Sequence, residues 1–429
     1  MVERSTVCIR RLSDNRVEEA RFGRWLGNAR IGLVEMDRTI GERMRSHVAG
    51  LHVLAVQDTS ELNYQAHAGR TRGLGTVGNG QDLGLFVHPV LAVEAESGAC
   101  LGLVGAQVYA RHEAADENYR DLPIETKESM RWLRGAETAK RYLDTARHVT
   151  VVADRESDIY EEWDRLPETG FDLLTRACRD RSLAGGGRLY AWSDGLPVAE
   201  RFVLELPARP GKRTARTATM ELRHGAVTVK RPKRGSDPDA ARAITLRLVD
   251  VREVGAPAGE EPVHWRLLTT HQVEDNAKAF QVVLWYRRRW TIEQLFRTLK
   301  TQGLDVESSQ IESAEALQRL AFLALIAATH ILQLLGARDG ALVRPVSDIF
   351  TPEQVSILNA LQPSLEGCTA ASKNPHPPDT LAWSAWFIAR LGGWDGYPNS
   401  QPAGPITFSR GYVRFLTLCE GAALRQKMC

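Results

Sequence analysis

The chain opens with a region whose apolar residues recur at helical spacing. Between residues 9 and 48 the apolar positions follow a period of roughly 3.6 residues. They are Leu12, Val17, Ala20, Phe22, Leu26 and Ile31. This spacing predicts a small helical segment at residues 9–48, ahead of the first strand.

From Leu51 onwards the pattern changes to short apolar runs with glycine-rich separators. The runs are rich in β-branched residues, which favour strands. They are Val53–Val56, Leu85–Val93, Leu101–Val108 and Val149–Val152. A charged, alanine-rich segment, Glu125–Thr145, predicts a helical crossover before the last run. This order of strands, helix and strand is typical of an α/β sheet.

A second strand-rich stretch follows, with short alternating runs separated by Gly, Pro and basic residues. These runs are Phe171–Thr175, Arg201–Leu206, Thr219–Arg223, Ala226–Lys230, Ile244–Val251 and His264–Thr269. They predict a β-rich insertion. Helical patterns occupy most of the remainder, at Ala277–Gly303, Ser313–Leu335, Glu353–Ala360, Thr380–Leu391 and Tyr412–Leu424. The C-terminal third is therefore predicted to be α-helical.

Composition adds bounds on size and charge. A chain of 429 residues exceeds the roughly 250–300 residues over which one hydrophobic core keeps growing, so more than one core or a large insertion is expected. The net charge of +2 is close to neutral and does not by itself indicate a nucleic-acid binder. Basic residues do cluster between Arg209 and Arg234 and again at Arg287–Arg289. Each cluster could bind phosphates or simply be a solvated face.

Cysteine usage and hydropathy indicate the compartment. The six cysteines are scattered, with no CxxC pair and no histidine at zinc-ligand spacing, which favours a reducing environment. The N-terminus lacks the pattern of a signal peptide. The longest apolar run, Ala321–Leu335, contains His330 and Gln333 and is shorter than the ~20 residues that span a bilayer. We expect a cytoplasmic protein with a buried core helix at this run and no membrane contact.

Two aspartates follow predicted strands. Asp58 comes after the apolar run that begins at Leu51, and Asp154 comes after Val149–Val152. Open α/β sheets bind ligands at the carboxyl ends of their strands. Either aspartate could instead be a turn residue or a helix cap. Two strand-end aspartates on one sheet indicate a site more strongly than one would.

The strongest local signal is a stripe of polar side chains on the predicted helix at 277–303. Arg289, Glu293 and Lys300 follow Tyr286 by 3, 7 and 14 residues, which at 3.6 residues per turn places all four on one face. An amphipathic helix normally buries an apolar stripe. The simplest alternative is a surface ion pair between Arg289 and Glu293.

Three carboxylates would explain this combination chemically. Asp58, Asp154 and Glu293 offer hard oxygen ligands of the kind that suit Mg²⁺. Two such ions about 3.5–4 Å apart assist an in-line displacement at phosphorus. Arg289 and Lys300 would neutralise phosphates beside the ions, and the Tyr286 hydroxyl could donate to the same backbone.

These motifs resemble those of bacterial insertion-sequence transposases of the DDE class, of the insertion-sequence-four type with a Tyr-x2-Arg-x3-Glu-x6-Lys signature. The stretch Tyr286–Lys300 matches that spacing. Val56–Ser60 is similar to the family's first-aspartate motif, and Asp154–Asp158 to its second. The resemblance extends over roughly residues 9–425. It implies an α/β fold with a ribonuclease-H-like catalytic core interrupted by a β-rich insertion and followed by an α-helical C-terminal domain.

The resemblance also implies an activity, which is cut-and-paste DNA transposition. Asp58, Asp154 and Glu293 would be the catalytic residues and the ligands of two Mg²⁺ ions, with Mn²⁺ expected to substitute. DNA contacts would come from Tyr286, Arg289, Lys300 and Trp265. Trp265 would stack on a flipped base, although a tryptophan in a strand could equally be a core residue. The implied partners are the double-stranded DNA of element ends and target and, on DNA, a second copy of the chain. The implied location is the bacterial cytoplasm, on the nucleoid when bound to DNA.

The resemblance divides the chain into five regions. These are a remnant of an N-terminal helical DNA-binding domain at 1–48, a first part of the core at 49–164, the insertion at 165–270, a second part of the core with the catalytic helix at 271–340, and a helical dimerisation domain at 341–429. The first aspartate arrives early for the family, so most of the end-recognising domain is expected to be missing. Two alternatives therefore stay open: a shortened regulator that pairs with a full-length transposase, and a stand-alone metal-dependent nuclease.

Overall fold

The computed structural model describes residues 7–13, 15–78, 80–111, 119, 121–208, 213–397 and 399–428. Within these residues one mixed sheet of eleven strands is packed against α-helices. The strands are β1 (His52–Gln57), β2 (Ser60–Asn63), β3 (Gly75–Val77), β4 (Asp82–Glu94), β5 (Cys100–Tyr109), β6 (His148–Ala153), β7 (Phe171–Arg176), β8 (Glu200–Leu206), β9 (Arg216–Lys230), β10 (Ala243–Val254) and β11 (His264–Thr269).

The helices lie at both ends of the chain and between the strands. They are α1 (Ile9–Leu12), α2 (Arg16–Leu26), α3 (Leu33–His47), α4 (Met130–Tyr142), α5 (Tyr160–Arg165), α6 (Leu189–Asp194), α7 (Asn276–Arg288), α8 (Trp290–Lys300), α9 (Ala314–Ala337), α10 (Pro352–Leu365), α11 (Leu381–Leu391) and α12 (Pro405–Met428). The helical segment predicted at residues 9–48 is confirmed as α1, α2 and α3. The crossover predicted at Glu125–Thr145 is confirmed as α4.

The order of the strands brings the ends of β1 and β6 to one edge of the sheet. β4 pairs antiparallel with β5 and with β1, whereas β1 and β6, and then β6 and β7, are parallel neighbours. Because parallel strands run in the same direction, the residues that follow β1 and β6 lie side by side.

The strands of the predicted insertion continue this same sheet. β11 pairs antiparallel with β7, and β10, β9 and β8 follow in order. The predicted boundary at residue 165 therefore does not coincide with a break in strand pairing. The two runs Thr219–Arg223 and Ala226–Lys230 are one strand, β9, so the separation predicted at Gly225 is wrong. Gly225 pairs with Leu248, and it accommodates the Trp192 ring, which lies 3.1 Å from the position that a Cβ would take.

Alternating residues of the strands face two hydrophobic cores. In β1, Val53 and Ala55 pack with α3 and α4 on one face, while Leu54 and Val56 pack with α7, α8 and α9 on the other. The period of two in the sequence thus corresponds to burial on both sides of the sheet. Two cores agree with the expectation drawn from chain length.

Helix α9 contains the longest apolar run. The hydroxyl of Ser313 accepts the N–H of Ala316 and caps the helix at its start. By length and composition α9 is apolar enough to cross a membrane, but 67% of its apolar stretch is buried inside the protein. The run was predicted to form a buried core helix, and the structure confirms this.

The C-terminal helices α11 and α12 approach each other closely. A Cβ added at Gly411 would lie 1.6 Å from the carbonyl oxygen of Ile388, so only a glycine fits at this crossing. Trp383 and Phe387 of α11 are fully buried. The helical pattern predicted for this part of the chain is confirmed over α10, α11 and α12.

One buried ion pair ties the loop after β6 to the loop after β7. The Arg181 guanidinium donates to Asp158 Oδ1 from Nε at 2.8 Å and from Nη2 at 2.6 Å. Asp158 Oδ2 accepts the backbone N–H groups of Cys178 and Arg179. The side chains are 5% and 0% exposed, so Asp158, the last residue of the motif that begins at Asp154, holds this loop in place.

Candidate active site

Asp58 and Asp154 lie at the same edge of the sheet. β1 ends at Gln57 and β6 ends at Ala153, and Val56 pairs with Val152 in register. Asp154 also acts as a cap, because its Oδ1 accepts the N–H of Glu156 at 2.8 Å. Asp154 thus caps the short turn Arg155–Ser157, whereas the helix that the sequence predicted it to cap, α5, begins after Ile159. The cap is compatible with a site because one carboxylate oxygen makes the bond.

A single guanidinium joins Asp58 to the helix that carries Glu293. Arg289 donates from Nη1 to Asp58 Oδ2 and from Nη2 to Glu293 Oε1, both at 2.8 Å. The Arg289 side chain is 14% exposed, which limits screening by water. The i,i+4 pair between Arg289 and Glu293 that the sequence suggested does form. It is part of a three-residue bridge across the site, and not a surface pair.

The electrostatics of Asp58 show that the acids converge. Burial, followed by the negative charge of Asp154, raises the pKa of Asp58 to about 7. Glu293 contributes in the same direction, whereas Arg289 and the N–H of Thr59 oppose the rise. Burial is the larger cause of the raised pKa, and the two neighbouring carboxylates add negative charge that Arg289 opposes.

This negative charge fits a divalent metal. Carboxylate oxygens from Asp58, Asp154 and Glu293 are the ligand type that Mg²⁺ and Mn²⁺ prefer. A cation among them would compensate the repulsion that raises the pKa of Asp58, since a bound ion is the largest local charge in such a site. The residues present therefore fit the predicted metal.

The helix predicted at 277–303 is two helices in the structure. The prediction that one continuous helix carries the polar stripe is therefore wrong in part. α7 ends at Arg288 and α8 begins at Trp290, with Arg289 between them. At the junction the N–H of Arg289 bonds to the carbonyl of Tyr286, and the N–H of Ile292 bonds to that of Arg289, both at 3.1 Å. These bonds to the third preceding residue tighten the turn.

The Tyr286 ring is buried at the end of α7, and its environment differs from that of the acids. It is 6% exposed, and burial raises its pKa. The Arg289 guanidinium lies 5.9 Å from the ring centre. Tyr286 therefore lies next to the residue that bridges the acids.

A cavity of about 510 Å³ opens next to Arg289 and Tyr286. Trp265, on β11, lines this cavity with its ring edge-on to Tyr286 at 5.5 Å between centroids. Other lining residues are Arg176, Arg213, Arg287, Arg288 and Trp290. The cavity thus combines aromatic rings with a concentration of guanidinium groups. Trp265 is half-buried, so it is not simply a core residue.

Lys300 lies at the far end of α8. Seven residues separate it from Glu293, about 10 Å along the helix axis. Its Nζ is 3.6 Å from Glu307 Oε1, and that oxygen also accepts the N–H of Asn63. The structure therefore pairs Lys300 with Glu307 and brings Asp58, Asp154, Arg289 and Glu293 together without it.

Several residues beside the acids were not predicted from the sequence. The Thr59 hydroxyl bonds to His88 Nδ1 at 2.8 Å and accepts from Arg131 Nε at 2.9 Å. Arg131 also pairs with Glu156 at 2.8 Å. Burial holds the pKa of His88 well below its usual range, so its ring is neutral. The one signal available was a histidine inside the apolar run Leu85–Val93.

The basic cluster between Arg209 and Arg234 is not one surface. Arg209 and Lys212 lie outside the described residues, and Arg216 is paired with Glu253 and Glu260. Lys230, Arg231 and Lys233 border a separate open cavity of about 630 Å³. The basic residues between Arg209 and Arg234 are therefore neither a single phosphate-binding face nor a fully solvated face.

Comparison with known protein families gives one partial match. A family model described as "Transposase DDE domain" matches residues 133–329. This match supports a DDE transposase. It covers just under half of the chain and includes Asp154, Arg289 and Glu293 but not Asp58.

A solved structure is also similar in part. The chain resembles a piggyBac transposase in a synaptic complex with hairpin DNA, determined by cryo-electron microscopy, with 10% identity and a TM-score of 0.31. The alignment covers 76% of this chain and 61% of that one, so the present chain spans about three fifths of its length.

Proposed function

We propose that the chain is a DDE transposase that cleaves DNA at the ends of a transposable element and transfers the cut strand to a target. The observation that carries the proposal is the bridge from Arg289 to both Asp58 and Glu293, beside Asp154. It joins the residue that follows β1 to helix α8. Asp154 follows β6, the parallel neighbour of β1, at the same edge of the sheet. The match of the family model over residues 133–329 supports the same activity.

In this proposal Asp58, Asp154 and Glu293 hold two Mg²⁺ ions, and Mn²⁺ substitutes for them. Bound ions of this kind activate an attacking oxygen and stabilise the leaving oxygen of an in-line displacement. The carboxyl group of Asp58 must lose its proton to act as a ligand. Burial and the charge of Asp154 hold that proton near neutral pH, so ion binding and proton release at Asp58 are coupled.

The chain's own cations orient the DNA backbone. When the acids bind metal, the Arg289 guanidinium can turn one of its two N–H groups from a carboxylate to a phosphate oxygen, for which its planar fork is suited. Arg287 and Arg288 line the same cavity and add positive charge. Lys300 would contact the backbone about two helical turns away. Binding through phosphates predicts an affinity that falls steeply with salt.

The cavity beside the acids is proposed as the site of an unpaired base. Trp265 and Tyr286 offer ring faces and edges there, and stacking on aromatic rings tolerates any base. Tyr286 would support the position of Trp265 and contribute its hydroxyl to the DNA backbone.

We assign β5, β4, β1, β6 and β7, with α4 and α7–α9, to a ribonuclease-H-like core. The supporting observation is the pair of parallel strands β1 and β6 with an acid after each. This assignment moves β7 from the insertion predicted at 165–270 into the core and leaves β8–β11 in the insertion. Helices α10–α12 belong to a C-terminal region that pairs two copies of the chain on double-stranded DNA. Light scattering of the protein with and without DNA that flanks its gene tests the pairing, and a monomer in both states contradicts it.

The test of the activity uses a supercoiled plasmid that carries the DNA flanking the gene. We expect nicking and strand joining by the wild-type protein with Mg²⁺ or Mn²⁺, and neither with a chelator. D154N should lose both activities, because one ligand of the metals is removed. D239N, a change at an exposed aspartate away from the site, is the matched control and should retain them.

The outcomes separate the proposal from its two alternatives. Nicking without joined products would indicate a stand-alone nuclease. Absence of nicking, together with inhibition of a full-length transposase, would indicate a regulator. A D154N protein that nicks as fast as the wild type would refute the assignment of the acids.

A further inference from the structure

Three histidines meet at the edge of the sheet opposite the acids. His52 begins β1, His148 begins β6, and His271 follows β11. Asp58 and Asp154 lie beyond the other ends of β1 and β6. With about 3.3 Å of rise per residue, the two clusters are separated by roughly 20 Å, so the histidines form a distinct group.

Strand register places the cluster on one face of the sheet. His52 is the register partner of His148, and Thr150 is the partner of Asp172 on β7. Since side chains alternate between faces, His148 and Thr150 point to the same side. That side is covered by α7, whose Trp285 ring lies 4.9 Å from the His52 ring and 4.7 Å from the His271 ring between centroids.

The distances suit a tetrahedral metal ion. One nitrogen from each of the three histidines lies within 4.8 Å of the other two, which is close enough for the three to share a metal ion. Metal–nitrogen bonds of 2.0–2.1 Å around a tetrahedral ion separate the nitrogens by about 3.3 Å, which modest side-chain rotations can reach. Asp172 Oδ2 lies 3.0 Å from His148 Nε2 and 3.4 Å from His271 Nδ1, in reach as a fourth ligand.

An outer contact also favours binding. The hydroxyl of Thr270 donates to Asp172 Oδ1 at 2.6 Å, which orients the carboxylate with Oδ2 toward the histidines.

We propose that His52, His148, His271 and Asp172 bind one divalent transition-metal ion, with Zn²⁺ as the preferred occupant. Imidazole nitrogens suit Zn²⁺, whereas the all-oxygen set at the opposite edge suits Mg²⁺, so ligand chemistry directs the two metals to different places. The ion would join β1, β6, β7 and the turn after β11 beneath α7. The site is structural, since four protein ligands complete its coordination.

The competing explanation is a hydrogen-bond network without metal. The Thr150 hydroxyl lies 2.8 Å from His52 Nε2 and 2.7 Å from His271 Nε2, and it can donate to one ring and accept from the other. T150V removes the two Thr150 bonds, keeps the bond between His148 and Asp172, and leaves all four proposed ligands in place. A metal site should therefore survive in T150V, whereas the part of the network that joins His52 to His271 should not.

The experiment titrates the full-length protein with Co²⁺ and Zn²⁺ after treatment with a chelator. D154N serves as the background, so that binding at the acids is weakened. We expect one equivalent of Co²⁺ with the intense visible absorption of a tetrahedral site containing imidazoles, which Zn²⁺ then displaces. H148Q and D172N should weaken Zn²⁺ binding by about tenfold or more. H67Q, a histidine outside the cluster, and T150V should leave it unchanged.

Each result supports or overturns the site. Absence of the tetrahedral Co²⁺ spectrum overturns it, as does a spectrum that persists in H148Q. Two results together would assign the cluster to the hydrogen-bond network. These are a less stable T150V protein and a melting temperature of D154N that Zn²⁺ does not change. If H148Q fails to fold, X-ray absorption of the Zn²⁺-loaded D154N protein decides by counting imidazole ligands. All these readouts measure metal binding or stability, so they are independent of whether the chain cleaves DNA.

Discussion

Replacing Asp58 with asparagine should make the protein more stable at alkaline pH. The folded state holds the Asp58 proton to a pKa of about 7, above the ordinary value of 3.8, because the carboxyl group is buried beside Asp154. Between these two values the folded state binds more protons than the unfolded state, so stability falls as pH rises through that window. Above that window the free-energy cost of ionising Asp58 in the folded state is complete. At 1.36 kcal/mol for each unit between the two pKa values, this cost amounts to about 4 kcal/mol.

The asparagine keeps the shape of the side chain and removes its charge. Asp58 accepts the Thr59 N–H on Oδ1 and Arg289 on Oδ2, so in D58N one of these donors faces the amide NH2 group and one bond is lost. That loss does not titrate, so the change that depends on pH is the loss of the ionisation cost. Part of that cost is already present at about pH 5, and we expect the stability gain of D58N over wild type to grow by roughly 2–3 kcal/mol between about pH 5 and about pH 8.

The assay is urea denaturation followed by tryptophan fluorescence at both pH values, in the presence of a chelator. D239N is the matched control and should follow the wild type at both. Parallel pH dependences for wild type and D58N would refute the reasoning, because Asp58 would then titrate alike in the folded and unfolded states. Adding Mg²⁺ at about pH 8 should stabilise wild type more than D58N, since the ion offsets the same repulsion.

Three further predictions follow from the packing and the cavity. R181M leaves the buried carboxylate of Asp158 without its partner and should lower the free energy of unfolding, measured by urea denaturation, by about 3–5 kcal/mol. The control R188M removes an exposed ion pair and should lower the same quantity by at most about 1 kcal/mol. G411A forces apart two helices in backbone contact and should cost about 1–3 kcal/mol or more, seen as a lower melting temperature, whereas G421A, with open space around it, should be neutral or gain up to about 1 kcal/mol. An equal melting temperature for the two glycine variants would contradict the close approach. W265A should weaken binding of DNA with an unpaired base by about 1–3 kcal/mol in fluorescence anisotropy, and W265F should retain most of it; unchanged binding by W265A would exclude the stacking role.

Local pattern identified most of the elements. β6 and α9 were predicted to within a few residues because alternation and helical periodicity are properties of short segments. The acids Asp58 and Asp154 could be noticed because each follows a strand. Glu293 could be noticed because its helix places charged groups at a spacing that an apolar stripe normally occupies.

Other features could not be obtained from local pattern. The helix breaks at Arg289, and the guanidinium of this residue contacts Asp58, which is remote in sequence; the periodic pattern of 277–303 indicated neither. Gly225 is typical of a turn, yet it lies inside β9 with the Trp192 ring packed against it. At Gly225 a tertiary contact overrides the local preference.

Residue type and periodicity are encoded locally, so the pattern along the chain predicted most of the strands and helices and the three candidate acids. Only the tertiary structure decided that Arg289 spans two of those acids, that Lys300 turns to Glu307, and that Trp265 borders a cavity. It also decided that histidines separated by more than 100 residues in the chain meet at the opposite edge of the sheet, as His52 and His271 do. The physical reason is that strand order and register, which bring such residues together, depend on packing across the whole sheet and not on any one segment.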